Sequence, residues 1–185
     1  MKKAKMTAAA ALAVIAVLLV YRFYIIPNVL YPLKYSEYVD ICSEEYGLEK
    51  TTVYAVIKAE SGFKPDNRSH TGAAGLMQIM PETGEWAAQQ MGMEGYDSDS
   101  LYDPETNIRI GCWYLRYLLN VYENNLPTAL AAYNAGMGNV SGWLDDPSYS
   151  SDGKSLGEIP YNETEEYIEK TLKYMECYEK YHKEL

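Results

Sequence analysis

Apolar and polar residues along this chain fall into two regimes. From Met6 to Val20 the sequence is apolar apart from Thr7, and apolar character resumes from Phe23 to Ile26 around Arg22. Beyond Tyr35 the apolar positions recur at helical spacing and no stretch sustains a period of two, so the pattern predicts an all-α domain. It predicts helices over Ser36–Tyr46, stopped by Gly47, and from Lys50 or Thr51 to Glu60. Further helices are expected from Pro81 to about Met91, from Asp103 and Pro104 to about Tyr122, from Pro127 to a break at Gly136, and from near Thr164 onward. Prolines at first helical positions and glycines beyond last ones set these bounds. The Pro104–Tyr122 helix is apolar around most of its circumference, from Ile108 to Val121, and reads as the central helix. Gly62 to about Met80, the acidic run Tyr96–Tyr102 and a flexible segment from Gly138 to Gly157 read as loops. A loop as long as the first is more often functional than idle.

One position breaks the pattern. Val53, Val56 and Ile57 lie at i, i+3 and i+4 of one helical face, and the next member of that stripe is Glu60, followed by the helix-ending pair Ser61–Gly62. A carboxylate on a buried stripe at a helix C-terminus is disfavoured in its charged form by desolvation and by the helix dipole. A raised pKa is expected, which suits a general acid. Tyr133 and Asn134 also fall at a helix C-terminus, before Gly136, so two polar helix ends are expected to share one cleft.

Charge and composition narrow the setting. Lys2, Lys3, Lys5 and Arg22 account for the basic residues before residue 28, where there are no acids, and the rest carries 12 basic against 26 acidic residues, a balance of −14. Such a domain is not a nucleic-acid binder. Lysines ahead of an apolar run signal export. No small-x-small cleavage site follows the run, and the 21 residues from Met6 to Ile26 match one bilayer thickness, so an uncleaved anchor is favoured over a cleaved signal peptide. Arg22 is expected to snorkel, with Tyr21, Phe23 and Tyr24 at the outer interface. The chain then divides into an anchor over residues 1–27, a short linker over 28–34 and one domain over 35–185. The lysines stay inside and the domain outside; secretion after cleavage is the alternative.

Several chemistries lack their parts. Cys42, Cys112 and Cys177 have no metal-ligand spacing and read mostly as buried thiols. The two histidines, His70 and His182, form no HExxH, and there is no GxSxG or phosphate-binding glycine loop. No metal or cofactor is expected.

Five motifs then carry a resemblance: Glu60–Ser61 with Ser69, GLMQIMP over Gly75–Pro81, DPETNIRIGCWYL over Asp103–Leu115, AYNAG over Ala132–Gly136, and PYNETEEYIEK over Pro160–Lys170. In order and spacing the chain resembles the SLT-type lytic transglycosylases. The resemblance implies a lysozyme-like α-helical fold and cleavage of the β-1,4 bond between N-acetylmuramic acid and N-acetylglucosamine in a peptidoglycan strand. By that resemblance Glu60 is the catalytic acid and base; Ser69, Gln78 and Met80 contact the sugar on the muramic side. Tyr133 positions the intermediate, Asn134 is its motif neighbour, and Glu163 stands at the groove wall. Lys64 and Asp66 depart from the commoner loop, where smaller or neutral residues are usual.

A single well-placed carboxylate also constrains the mechanism, because ordinary glycosidases use two. Glu60 as acid and then base, with the C6 hydroxyl attacking C1, gives a 1,6-anhydro product without water. Two other readings stay open. A goose-type lysozyme-like muramidase would need a water-activating acid such as Asp66 or Asp97. A non-enzymatic, membrane-anchored peptidoglycan-binding subunit would serve a cell-wall or secretion machine.

Overall fold

The computed structural model describes residues 12–185; the three lysines and the first apolar residues of the expected anchor lie outside them. The described part of the N-terminal helix, α1 (Leu12–Leu30), has a mean hydropathy of 2.0 and none of it is buried, so it is long and apolar enough to cross a membrane. Its last ten residues, Tyr21–Leu30, are wound in wider π-type turns around Pro27. Proline supplies no N–H and cannot continue an α ladder; the wider turn closes when the Tyr31 N–H reaches the Ile26 carbonyl at 3.0 Å. The helix thus runs through residues 28–30, leaving 31–35 as the connection.

The domain is helical throughout: α2 (Ser36–Tyr46), α3 (Lys50–Glu60), α4 (Pro81–Gln90), α5 (Pro104–Val121), α6 (Leu126–Ala135), α7 (Met137–Leu144) and α8 (Asn162–Tyr181), with one 3-10 turn at Ser98–Tyr102. Among the described residues, β-type pairing is limited to two isolated bridges, Arg68 with Ala74 and Ala74 with Ile79. The predicted starts hold because Pro81, Pro104 and Pro127 occupy first-turn positions. Asp103 and Asn125 cap α5 and α6 by accepting from the Thr106 and Thr128 amides.

α3 is buried from Thr51 to Ile57 and packs along α8, its main neighbour. α5 sits between α2, α4 and α6, with Ile108, Ile110, Cys112, Leu115 and Leu118 fully buried. Val121, expected on its apolar surface, is exposed. Cys42 and Cys112 are free, buried thiols, and Cys177 is free and half-buried.

The segment read as flexible from Gly138 to Gly157 is instead opened by a helix, α7. Val140 and Trp143, at i and i+3, are buried, and the Trp143 ring meets Tyr161 edge-on at 4.9 Å. Glycines at 138 and 142 outweighed that apolar pair in the sequence pattern; tertiary burial reverses the balance.

The loop of residues 62–80 is held by one buried side chain. Asn107, on α5 and fully buried, accepts from the Met77 amide at 2.7 Å and donates to the Ala74 and Leu101 carbonyls at 3.0 and 2.8 Å. Gly75 must be glycine here: φ is +80°, and a Cβ would stand 2.1 Å from the Leu101 carbonyl oxygen. Replacing Asn107 by Leu strands the Met77 N–H and the Leu101 carbonyl, while the Ala74 carbonyl keeps the Ile79 amide at 3.0 Å. The expected loss is about 3 kcal/mol, read as a lowered urea midpoint for the Asn107→Leu protein; an unchanged midpoint would show that the loop is held by other contacts.

Candidate active site

α3 delivers Glu60 at its last residue, where Ser61 ends the helix by donating to the Ile57 carbonyl at 3.2 Å while accepting from the Phe63 amide at 3.1 Å. Glu60 lies where two hollows meet. The larger, about 800 Å³, is lined by Glu60, Ser69, Gln78, Met80, Tyr133, Asn134 and Glu163, together with Arg68, His70, Tyr161 and neighbours. The smaller, about 280 Å³, is lined by Ala59, Glu60, Asn134, Glu163, Glu166, Tyr167 and Lys170. The seven residues that the resemblance assigns to the site therefore line one cavity.

Ser69, Gln78, Asn134 and Tyr133 are each fixed by a traceable contact. Ser69 Oγ accepts from the Ala73 amide at 2.9 Å and shares a hydrogen bond with Thr71 Oγ1 at 2.8 Å. Gln78 adopts a left-handed φ of 47°, and its amide nitrogen donates to the Asn67 and Gly75 carbonyls at 3.1 and 2.8 Å. That leaves Gln78 Oε1 as its free acceptor. Met80 is exposed at the rim. Asn134 Oδ1 accepts from Thr164 Oγ1 at 2.8 Å, tying the end of α6 to the start of α8. Glu163 is exposed in the first turn of α8. The Tyr133 hydroxyl donates to the Met77 carbonyl at 2.9 Å, so its single proton is committed and its lone pairs remain for a donor in the cavity.

Glu60 is only half-buried by exposed surface, yet the crowd around its carboxyl removes enough water to raise its pKa from 4.5 to about 7. The Tyr167 hydroxyl and the Lys170 charge oppose that rise and are outweighed. Tyr167 was not singled out by the sequence. It is buried on α8 with its hydroxyl beside the Glu60 carboxyl, close enough to lower its pKa but outside ordinary hydrogen-bond geometry and without any other partner. Burial and the Glu60 charge push both Tyr133 and Tyr167 well above the usual tyrosine range; both stay protonated. Among the described residues no group of three or more His, Cys, Asp or Glu is placed to hold a metal ion.

An all-helical fold with one carboxylic acid of neutral pKa at the meeting of two open hollows defines a lysozyme-like domain. The chain belongs to the Transglycosylase SLT domain family, whose model matches residues 37–155. It is 37% identical over 146 residues to the soluble lytic murein transglycosylase of Escherichia coli K12, covering 78% of this chain and 23% of that protein. It is 40% identical over 116 residues to the membrane-bound lytic murein transglycosylase C of Serratia proteamaculans, covering 58% and 32%. Among solved structures, an inactive glutamate-to-glutamine mutant of the lytic transglycosylase Slt from Pseudomonas aeruginosa superposes with a TM-score of 0.73 at 30% identity, covering 83% of this chain and 25% of that one. The 70 kDa soluble lytic transglycosylase of E. coli superposes with the same score at 33% identity, covering 82% and 25%. The chain thus spans about a quarter of the length of these relatives.

The raised pKa has a signed consequence for stability. A carboxyl whose folded pKa exceeds its unfolded value contributes stability that is whole below about pH 4.5 and is lost as pH rises through about 7. Glu60→Gln should therefore be more stable than the parent near pH 8, by about 1–3 kcal/mol, with the gap closing toward pH 4.5. Denaturation midpoints across that range check it; a constant gap would mean that Glu60 titrates normally.

Proposed function

We propose that this chain is a peptidoglycan lytic transglycosylase that cleaves the β-1,4 bond between N-acetylmuramic acid and N-acetylglucosamine without consuming water. The observation that carries the reading is Glu60, a carboxyl at the junction of the two hollows that burial raises to about 7. A glycan strand threaded through both places its scissile bond against that acid. Protonated Glu60 donates to the glycosidic oxygen as the bond to C1 breaks, and the substrate's 2-acetamido group supports the positive charge at C1. The resulting Glu60 carboxylate then takes the proton of the C6 hydroxyl as that oxygen attacks C1. The 1,6-anhydro ring closes and the acid is regenerated. Tyr133 and Gln78 offer acceptor oxygens to the sugar, while Ser69, Met80, Asn134 and Glu163 shape the walls.

A goose-type muramidase reading needs a carboxylate to activate water. Asp66 and Asp97 do not line either hollow, which supports the anhydro route. Glu163 does line both, and it is the residue through which hydrolysis would run; it is not among the groups that shift Glu60. Mass spectrometry of digested cell wall separates the two: anhydro ends are expected, and reducing ends would make the protein a hydrolase. Glu60→Gln should lower cleavage at least a hundredfold, the scale of losing general acid–base catalysis, with an unchanged helical spectrum. A variant that still cleaves would sink the assignment, and a parent chain that binds strands without cutting them would leave a scaffolding subunit.

The family includes soluble and membrane-bound relatives, and α1 supports the second arrangement here. We infer a single-pass anchor with its lysines inside and residues 35–185 outside. The full chain should stay with the membrane pellet after alkaline carbonate washing, and external protease should remove the domain from spheroplasts; release into the wash would indicate a secreted protein.

A further inference from the structure

α1 is fastened to the domain beside the acid. The Lys58 ammonium, in the last turn of α3, donates to the carbonyl of Leu30, the last residue of α1. It also lies 4.9 Å from the ring centres of both Tyr31 and Tyr174. Glu60 follows two residues later on the same turn. One hydrogen bond, the length of a lysine side chain and half a helical turn put the Glu60 Cα no more than about 15 Å from the Leu30 carbonyl.

The connection after α1 is taken up in packing. The Tyr31 ring meets Tyr178 and Tyr174 edge-on, at 5.5 and 6.1 Å, and stacks on Tyr181 at 5.7 Å. The Tyr31 carbonyl is 2.7 Å from His182 Nε2, and the Tyr178 hydroxyl donates to the Pro32 carbonyl at 3.3 Å. Leu33 and Tyr35 pack against the core. Arg22, expected to snorkel, holds its guanidinium 4.9 Å from the Tyr181 ring centre. Residues 31–35 are therefore part of the domain and leave no flexible tether between it and α1.

This attachment limits how far the cleft can stand from a bilayer that α1 spans. The apolar stretch of the anchor ends at Ile26, so Leu30 lies about 6 Å further along the helix, close to the depth of one headgroup layer. Glu60 then stands no more than about 15 Å above that layer. A free linker of about twenty Gly and Ser residues would let a domain range over about 25 Å; the packed residues 31–35 do not. A strand of an assembled wall has nothing to hold it at that height. A strand joined at one end to a membrane lipid does, because the lipid keeps the nearest sugars at the headgroups, and sharing one bilayer raises the effective concentration of enzyme and strand. We propose that the Glu60 cleft acts on glycan strands whose reducing end is still joined to a membrane lipid, as a membrane-bound glycosyl polymerisation would supply them, and cuts them close to that lipid.

This substrate rests on the cleavage and the anchoring proposed above, and the test keeps their failures apart. The full chain in vesicles of phosphatidylethanolamine and phosphatidylglycerol is given one glycan polymer in two forms: carrying a lipid diphosphate in the same bilayer, and freed from it by mild acid. At equal total strand concentration the parent should cleave the lipid-borne form at least about tenfold faster, and mass spectrometry should find stubs of a few disaccharides left on the lipid. A variant with about twenty Gly and Ser residues inserted between Leu30 and Tyr31 should leave longer and more varied stubs while cleaving the freed strands as the parent does. Equal rates on the two forms, or the same stub lengths from parent and variant, would overturn the lipid-borne substrate and leave the enzyme reading intact. In the same vesicles the Glu60→Gln protein should bind a dye-labelled lipid-borne strand more tightly than the freed one, read by fluorescence anisotropy. That preference without cleavage by the parent would overturn the enzyme reading alone, and neither preference nor cleavage would overturn both. A chain that fails to float with the vesicles would overturn the anchor and this substrate with it.

Discussion

The backbone of Met77 is the point on which the site depends. Its N–H is taken by the buried Asn107 side chain at 2.7 Å, and its carbonyl takes the Tyr133 hydroxyl at 2.9 Å. One residue therefore joins α5, the loop of residues 62–80 and the end of α6. Because Asn107 also satisfies the Ala74 and Leu101 carbonyls, the loop gains in one place the partners that a buried irregular backbone needs. That side chain ties the segment carrying Ser69, Gln78 and Met80 to α5.

Around the acid, opposing influences are set close to balance. Desolvation raises the Glu60 pKa, while Tyr167 and Lys170 pull it down. The outcome near 7 suits the proposed role of giving a proton and then taking one back, since a far stronger or weaker acid would fail at one of the two steps. The half-buried position matters equally: enough water is removed to shift the pKa, and enough surface stays open for Glu60 to face both hollows. α8 contributes to both effects, carrying Tyr167 and Lys170 along the smaller hollow. It is a wall of the cleft as well as a packing partner of α3.

The same helix connects the cleft to α1. Tyr31, Tyr174, Tyr178 and Tyr181 pack into one cluster with Lys58 over two of the rings, so the domain is held to α1 by aromatic contacts and a short connection at residues 31–35. The orientation of the cleft relative to α1 follows from the packing of α8 against Tyr31.

Local rules determined most of the frame. Prolines at 81, 104 and 127 and glycines at 47 and 136 placed helix ends because they act through backbone geometry alone, which needs no partner. Glu60 was legible for a related reason, as a charge on an apolar stripe at a helix end is an anomaly in one dimension. Asn107 is the same kind of anomaly, a polar residue on the apolar face of α5, and the signal that marked Glu60 would have found it. α7 was obscured because two glycines lowered its propensity and only the burial of Val140 and Trp143 against the rest of the domain restored it. Tyr167 was one tyrosine among nineteen; its place beside Glu60 depends on how α8 lies along α3, and the clustering of Tyr31 with α8 spans nearly the whole chain. The sequence by itself determined the helices other than α7, with their ends, and marked Glu60 as a carboxyl on a buried stripe, because those are set by neighbours within a few residues. The tertiary structure decided which tyrosine stands beside Glu60, what holds the loop, and how α8 is tied to Tyr31, because those are contacts between residues far apart in the chain.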